Sequence, residues 1–225
     1  MTPATKARLE EARRTQILEA AARVFARKGF DGATISDIAR AAKLAEGSIY
    51  NYFRSKEDLL IHIPQHLVRP ALAPLLDAPP RPESREQVDE LLLRVAGAMV
   101  ERIRAHAPFL KVFLSALPRM SAAAREEYMQ LLPLHAAEAL EQLLRDGKRR
   151  GIFRPDLNPI IAARALPGML MGIVMIQEIL LGRRVIPYDY DEIVPELVRI
   201  FLYGAMPAGE APVTARSRPN EARRQ

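Results

Sequence analysis

Apolar residues recur at three- and four-residue steps from Ala12 to Ala205, and no run alternates apolar with polar as a half-buried strand would. Side chains at that spacing return to one side of a 3.6-residue helix. Such helices can hide their apolar stripes only against one another, so the pattern restricts the chain to an all-α fold. Apolar residues make up 49% of the 225, enough for a sizeable core.

Gly, Pro and capping residues set the expected helix limits. A first helix spans Ala12–Lys28, with Ile17, Ala20, Ala21, Val24 and Phe25 as its stripe and Gly29 as its C-terminal cap. Thr34 and Asp37 form a capping box for a second helix ending at Ala41 or Ala42. A short turn leads to a third helix, from Glu46 to Tyr52 or Phe53. Ser55 and Asp58 cap a fourth, which Pro64 should disturb. Five prolines between Pro70 and Pro82 predict a linker or irregular loop. Later helices are expected over Glu83–Ala105, Pro108–Leu117, Ser121–Arg150, Pro159–Leu181 and Tyr190–Ala205, with breaks at Pro133 and Pro167. The tail 207–225 lacks periodicity and is expected to be disordered.

Charge divides the chain unevenly. Residues 1–56 hold 11 basic and 6 acidic side chains, a net of +5, whereas 57–206 hold 18 and 19, a net of −1. A basic segment on a near-neutral body points to a polyanion partner. The absence of cysteine excludes disulfides and thiolate metal sites. The N-terminus does not read as a secretory signal. The longest uncharged helical run, Ala165 to Gln177, is shorter than the roughly 20 residues that span a bilayer. A cytoplasmic protein without a membrane segment is therefore expected. No phosphate-binding loop, zinc-protease motif or serine elbow occurs, so no enzyme activity, cofactor or metal is expected. His62 and His66 are four apart, but Pro64 lies between them. The competing reading is a helical adaptor, or a protein whose basic first helix lies on anionic lipid.

The second and third helices with their turn make a helix-turn-helix, whose second helix would enter the DNA major groove. The runs Thr34–Ala42 and Gly47–Leu60, including Gly47-Ser48-Ile49-Tyr50-Asn51-Tyr52-Phe53-Arg54-Ser55-Lys56, resemble the DNA-binding domain of the tetracycline-repressor (TetR) family over about residues 12–60. The resemblance implies a dimeric, ligand-responsive regulator, with residues 1–56 on an operator in double-stranded DNA. It implies phosphate contacts from Thr34, Tyr50, Tyr52 and Lys56, which fix register. Base reading falls to Glu46, Ser48 and Asn51, and Lys43 and Arg54 are further phosphate candidates. Gly47 would let the DNA backbone approach. The chain departs from the family at Lys43, where glycine is usual, at Ala45, which cannot cap, and at Glu46, an acid beside the phosphates.

The resemblance also implies that residues 57–206 dimerise and bind an inducer. The run from Leu166 to Ile176 is apolar on all sides, and the last helix adds Ile193, Leu197, Ile200, Phe201 and Gly204, so a homodimer through the last two helices is expected. Soft and aromatic side chains suit an adaptable cavity for a small apolar or aromatic inducer. The candidates are Met99, Phe109, Phe113, Met120, Tyr128, Met171 and Met175, with His135 as a polar handle.

Overall fold

In the computed structural model, which describes residues 2–77, 80–180 and 184–205, the apolar stripes become ten α-helices, and no strand occurs among the described residues. The tail from 207 onward and Pro79 lie outside the described residues.

α1 (Pro3–Gly32) begins nine residues before the apolar stripe suggests, at a Thr2 hydroxyl that accepts from the Thr5 amide. Its regular path breaks at Gly29, where φ is 72° and a side chain would be strained. α2 (Ile35–Ala42) opens on the full capping box, with Thr34 and Asp37 each accepting from the other's backbone amide. Lys43 follows in the left-handed conformation, φ 55° and ψ 45°, so the turn keeps a glycine-like shape without the glycine. α3 (Glu46–Tyr50) has no side-chain cap at Ala45. It ends before Tyr52 because the amides of Tyr52 and Phe53 both return to the Ile49 carbonyl, at 3.0 Å each, and wind the chain off the helix.

α4 (Lys56–Leu76) corrects the expectation of a break at Pro64. It runs through Pro64, Pro70 and Pro74, so most of the expected proline linker is helix. Each interior proline costs about 3 kcal/mol. Against this, Leu59, Leu60, Ile61, Ile63, Leu67, Leu72 and Leu75 are buried along the helix, at roughly 1.5–3 kcal/mol each. Burial wins.

α5 (Arg85–Ala105), α6 (Ala107–Ala116), α7 (Ala122–Leu131) and α8 (Pro133–Arg149) follow, with one 3₁₀ turn, Leu117–Arg119, between α6 and α7. The expected break at Pro133 is present: Leu132 leaves helical geometry at φ −140°. α9 (Pro159–Val174) continues unbroken through Pro167, contrary to expectation, and passes into a π-helical turn at Met175–Leu180. The whole segment Pro159–Leu180 is, at 22 residues, long and apolar enough to cross a membrane by length and composition. α10 (Tyr190–Ala205) closes the fold.

Two apolar clusters result. The first joins α1 to α3 with the front of α4, and also takes in Phe109, Phe113, Ala116, Met120 and Ala124. The second joins the end of α4 to α5, α8, α9 and α10. Val68 and Leu110 touch both. Packing therefore runs across position 56, and α4 belongs to both halves.

One contact carries a prediction. Gly147 sits in α8 against the fully buried Phe153, and a Cβ there would lie 2.4 Å from the ring. Helix propensity alone favours Gly147→Ala by about 1 kcal/mol. Overpacking a buried ring costs about 1–3 kcal/mol, so a net loss is expected in urea melts. A gain would show that Phe153 can move aside.

Candidate functional site

The site forms at the N-terminal end, where α1 and α4 hold the two short helices. Ile38, Ala39 and Ile49 are buried between α2 and α3, and Phe53 is buried just beyond. This fixes which face of α3 remains outside. Gly47, Tyr50 and Asn51 are exposed there, with Tyr50 at 54%, and Ser48 and Tyr52 are half-buried. Glu46 and Lys43 are exposed at the turn, and Thr34 lies at the exposed start of α2. Tyrosines at helical spacing thus divide: Tyr50 faces out, whereas Tyr52 packs partly on the core.

Several charged groups shape this surface. Lys28 Nζ lies 2.7 Å from Asp37. Hydrogen bonds from Lys28 and Thr34 lower the Asp37 carboxyl from its ordinary range to about 2. A depressed carboxylate contributes stability above its unfolded value, near 4, and loses it as pH falls towards 2. Asp37→Asn is accordingly expected to flatten the fall in melting temperature over that window. An unchanged slope would remove Asp37 from the acid response.

Lys56 donates to the carbonyl of Ala33 at 3.0 Å and sits 4.6 Å from the Phe30 ring centre, so it ties α4 to the start of α2. Arg54 is committed elsewhere. Its guanidinium donates to Asp58 at 3.0 and 3.2 Å and to Glu127 of α7 at 2.5 and 2.7 Å. Burial pushes the Asp58 carboxyl up, but hydrogen bonds from the Arg54 side chain and amide outweigh it and hold the group low. Asp58, His62 and Glu127 also bring three ligating atoms within 4.8 Å of one another, but both carboxylates already pair with Arg54. Sequence reasoning missed this arrangement because Glu127 is 73 residues away.

Behind this head lies a cavity of about 390 Å³ between α4, α5, α6, α7, α8 and α9. Met99, Phe109, Phe113, Tyr128 and Met171 line it. The other three expected residues lie elsewhere. Met120 is buried in the first cluster, where the turn before α7 folds it against the head. His135 faces a separate groove with Gln65, Arg69 and Glu138, because the break at Leu132 turns it outward. Met175 lies beyond the lining, at the start of the π-helical turn. The lining includes leucines that composition could not single out, such as Leu67, Leu110 and Leu132. It also includes Arg102, His106 and Arg164, and no carboxylate. Burial raises the Tyr128 hydroxyl above its usual range, and its ring meets Phe113 edge-on at 5.0 Å.

Comparison with known proteins fits this geometry. The pattern of bacterial regulatory proteins, tetR family, matches residues 17–63, which include all of α2 and α3. The transcriptional repressor NicS of Pseudomonas putida is 30% identical over 69% of this chain and 74% of its own. The fatty acid degradation regulator FadR of Bacillus halodurans superposes with a TM-score of 0.67 at 26% identity, over 85% of this chain and 95% of its own. The FadR of Bacillus subtilis, solved in complex with stearoyl-CoA, shares the fold with a TM-score of 0.66 at 21% identity, over 84% and 97%. A full helix-turn-helix on the family pattern, and a relative similar along most of its length, lead to one conclusion: the chain belongs to the tetR family of bacterial regulatory proteins and is a transcriptional regulator.

Proposed function

We propose that the protein is a cytoplasmic repressor that binds a pseudo-palindromic operator as a homodimer and leaves it when a small, largely apolar molecule enters the cavity. The observation that carries the reading is the two-sidedness of α3. Ile49 anchors it in the core, while Gly47, Tyr50 and Asn51 stand free on the opposite face. In this reading residues 1–56 read DNA and 57–206 sense and dimerise. Thr34, Lys43, Tyr50, Tyr52 and Lys56 hold phosphates, and Glu46, Ser48 and Asn51 read bases.

A five-residue helix reads few bases, so specificity needs a second copy at a half-site roughly 34 Å away. The outer faces of α9 and α10 support this. Ile161, at 67% exposure, lies on the same helix as the open Gly168 and Gly172, and Ile200 and Tyr203, at 51% and 57%, lie on α10 with Gly204. Ile193 and Phe201 instead fill the chain's own core and leave the interface reading. The exposed face also accounts for the apolarity of Pro159–Leu180. The cavity supports an apolar body, and Arg102 and His106 in a lining without a carboxylate favour a negative end, whereas Arg164 already pairs with Glu141 at 3.8 Å. Stearoyl-CoA, held by the Bacillus subtilis relative, is a molecule of that kind.

Selection of randomised duplex DNA on the purified chain tests the reading. A pseudo-palindrome with two half-sites is expected, with affinity falling steeply as salt rises. Lys43→Ala is expected to lower the salt slope by about 1 and to weaken all sequences alike. Absence of enrichment, or a single unpaired site, would overturn operator binding by a dimer.

A further inference from the structure

α7 is short, broken at both ends, and two-faced. At its start the chain leaves helical geometry at Met120, ψ 155°, and at its end Leu132 breaks before Pro133. Its front half is bound to the DNA-reading head. Met120 and Ala124 are buried in the head's apolar cluster. The Ser121 amide and hydroxyl donate to Glu57 at 3.3 and 3.2 Å. Arg119, just before it, pairs with Asp31 at 3.0 Å. Its rear half is bound to the cavity, which Tyr128 and Met129 line.

Between the two halves stands Glu127. It is adjacent to Tyr128 in sequence, and both its carboxylate oxygens accept from Arg54, at 2.5 and 2.7 Å. Arg54 lies one residue beyond the buried Phe53, which anchors the end of the reading segment. The Arg54 amide is fixed in turn by Asp58, at 2.7 Å. One turn of helix therefore carries both a cavity wall and a clamp on the chain that leaves α3.

From this juxtaposition we infer that α7 carries the state of the cavity to the reading helix, with Glu127 as the positioning residue that transmits its movement to Arg54. A molecule seated against Tyr128 and Met129 displaces the rear of α7. The clamp passes that displacement to the end of α3, because an ion pair with two hydrogen bonds fixes direction as well as distance. A packed helix hinged at both ends has discrete seats rather than a continuum, which is what a switch requires. The inference rests on the reading of the cavity as the inducer site.

The test needs no identified inducer. Ala137 of α8 lines the cavity on the wall that α8 contributes, and Ala137→Trp puts bulk there as a stand-in. The chain has no tryptophan of its own, so the emission of the new indole reports whether it is buried. Ala137→Phe serves as the second variant if the tryptophan prevents folding by circular dichroism. Affinity for the selected operator is measured for the filled variant with Glu127 and with Glu127→Gln. Filling is expected to weaken binding at least fivefold with Glu127 and less than twofold with glutamine, in line with coupling effects of about 5–150-fold. Equal weakening in both backgrounds overturns the role of α7 and leaves the cavity reading intact. A buried indole or phenyl ring that leaves operator affinity unchanged overturns both.

Discussion

Phe53→Ala is expected to lower the melting temperature by roughly 6–20 °C and to abolish operator binding with it. The ring is 2% exposed and stands where the chain turns from α3 to α4. The Arg14 guanidinium lies 4.5 Å above its centre, and His62 meets it edge-on at 5.7 Å. Arg14 also donates to the Tyr52 carbonyl at 3.1 Å, so the ring and the backbone beside it are held by the same residue. Truncating such a phenylalanine typically costs about 3–5 kcal/mol, a large share of a domain's total stability. Tyr50→Ala provides the contrast. Tyr50 is exposed, so the melting temperature should hold while DNA affinity falls. Equal thermal losses from both substitutions would mean that Tyr50 is buried in solution, against a dimer partner or the body.

Gly47→Leu is expected to weaken operator binding on the order of a hundredfold without lowering stability. The glycine has no conformational need: its φ is not positive, and a Cβ built there meets no heavy atom within 4 Å. Within the chain, a larger residue in the first turn of a helix should be neutral or gain up to about 1 kcal/mol. The only thing a side chain at Gly47 can obstruct is whatever approaches α3 from outside. Circular dichroism melts and operator titration of one variant separate the two possibilities. Lost stability at unchanged affinity would show that Gly47 serves the fold and does not face DNA.

These two residues show what was legible before the structure. The helix-turn-helix could be placed because its signals are local: Thr34 with Asp37 and Ser55 with Asp58 are each three residues apart, and a cap bonds only near neighbours. The reading face followed from period and chemistry together, since Ile38, Ala39 and Ile49 had to turn inward. The cavity was legible by residue type alone. Five of the eight residues expected to line it do so. Met120 and His135 were misplaced because a 3₁₀ turn and the break at Leu132 rotate the ends of α7 and α8 away from a continuous helix. Proline was also overread: α4 and α9 carry Pro64, Pro70, Pro74 and Pro167 without ending, because the buried faces opposite outweigh the lost hydrogen bonds.

The sequence by itself determined the helical class, the caps at Thr34 and Ser55 and the position of the helix-turn-helix, whereas the left-handed conformation of Lys43 came from the structure. The first three depend on residues within about one helical turn of one another, where spacing fixes geometry. Only the tertiary structure decided that Arg54 pairs with Glu127 of α7, that Gly147 makes room for Phe153, and that Met120 packs against the head. Those contacts join segments brought together by the burial of two apolar clusters, and burial is indifferent to sequence order.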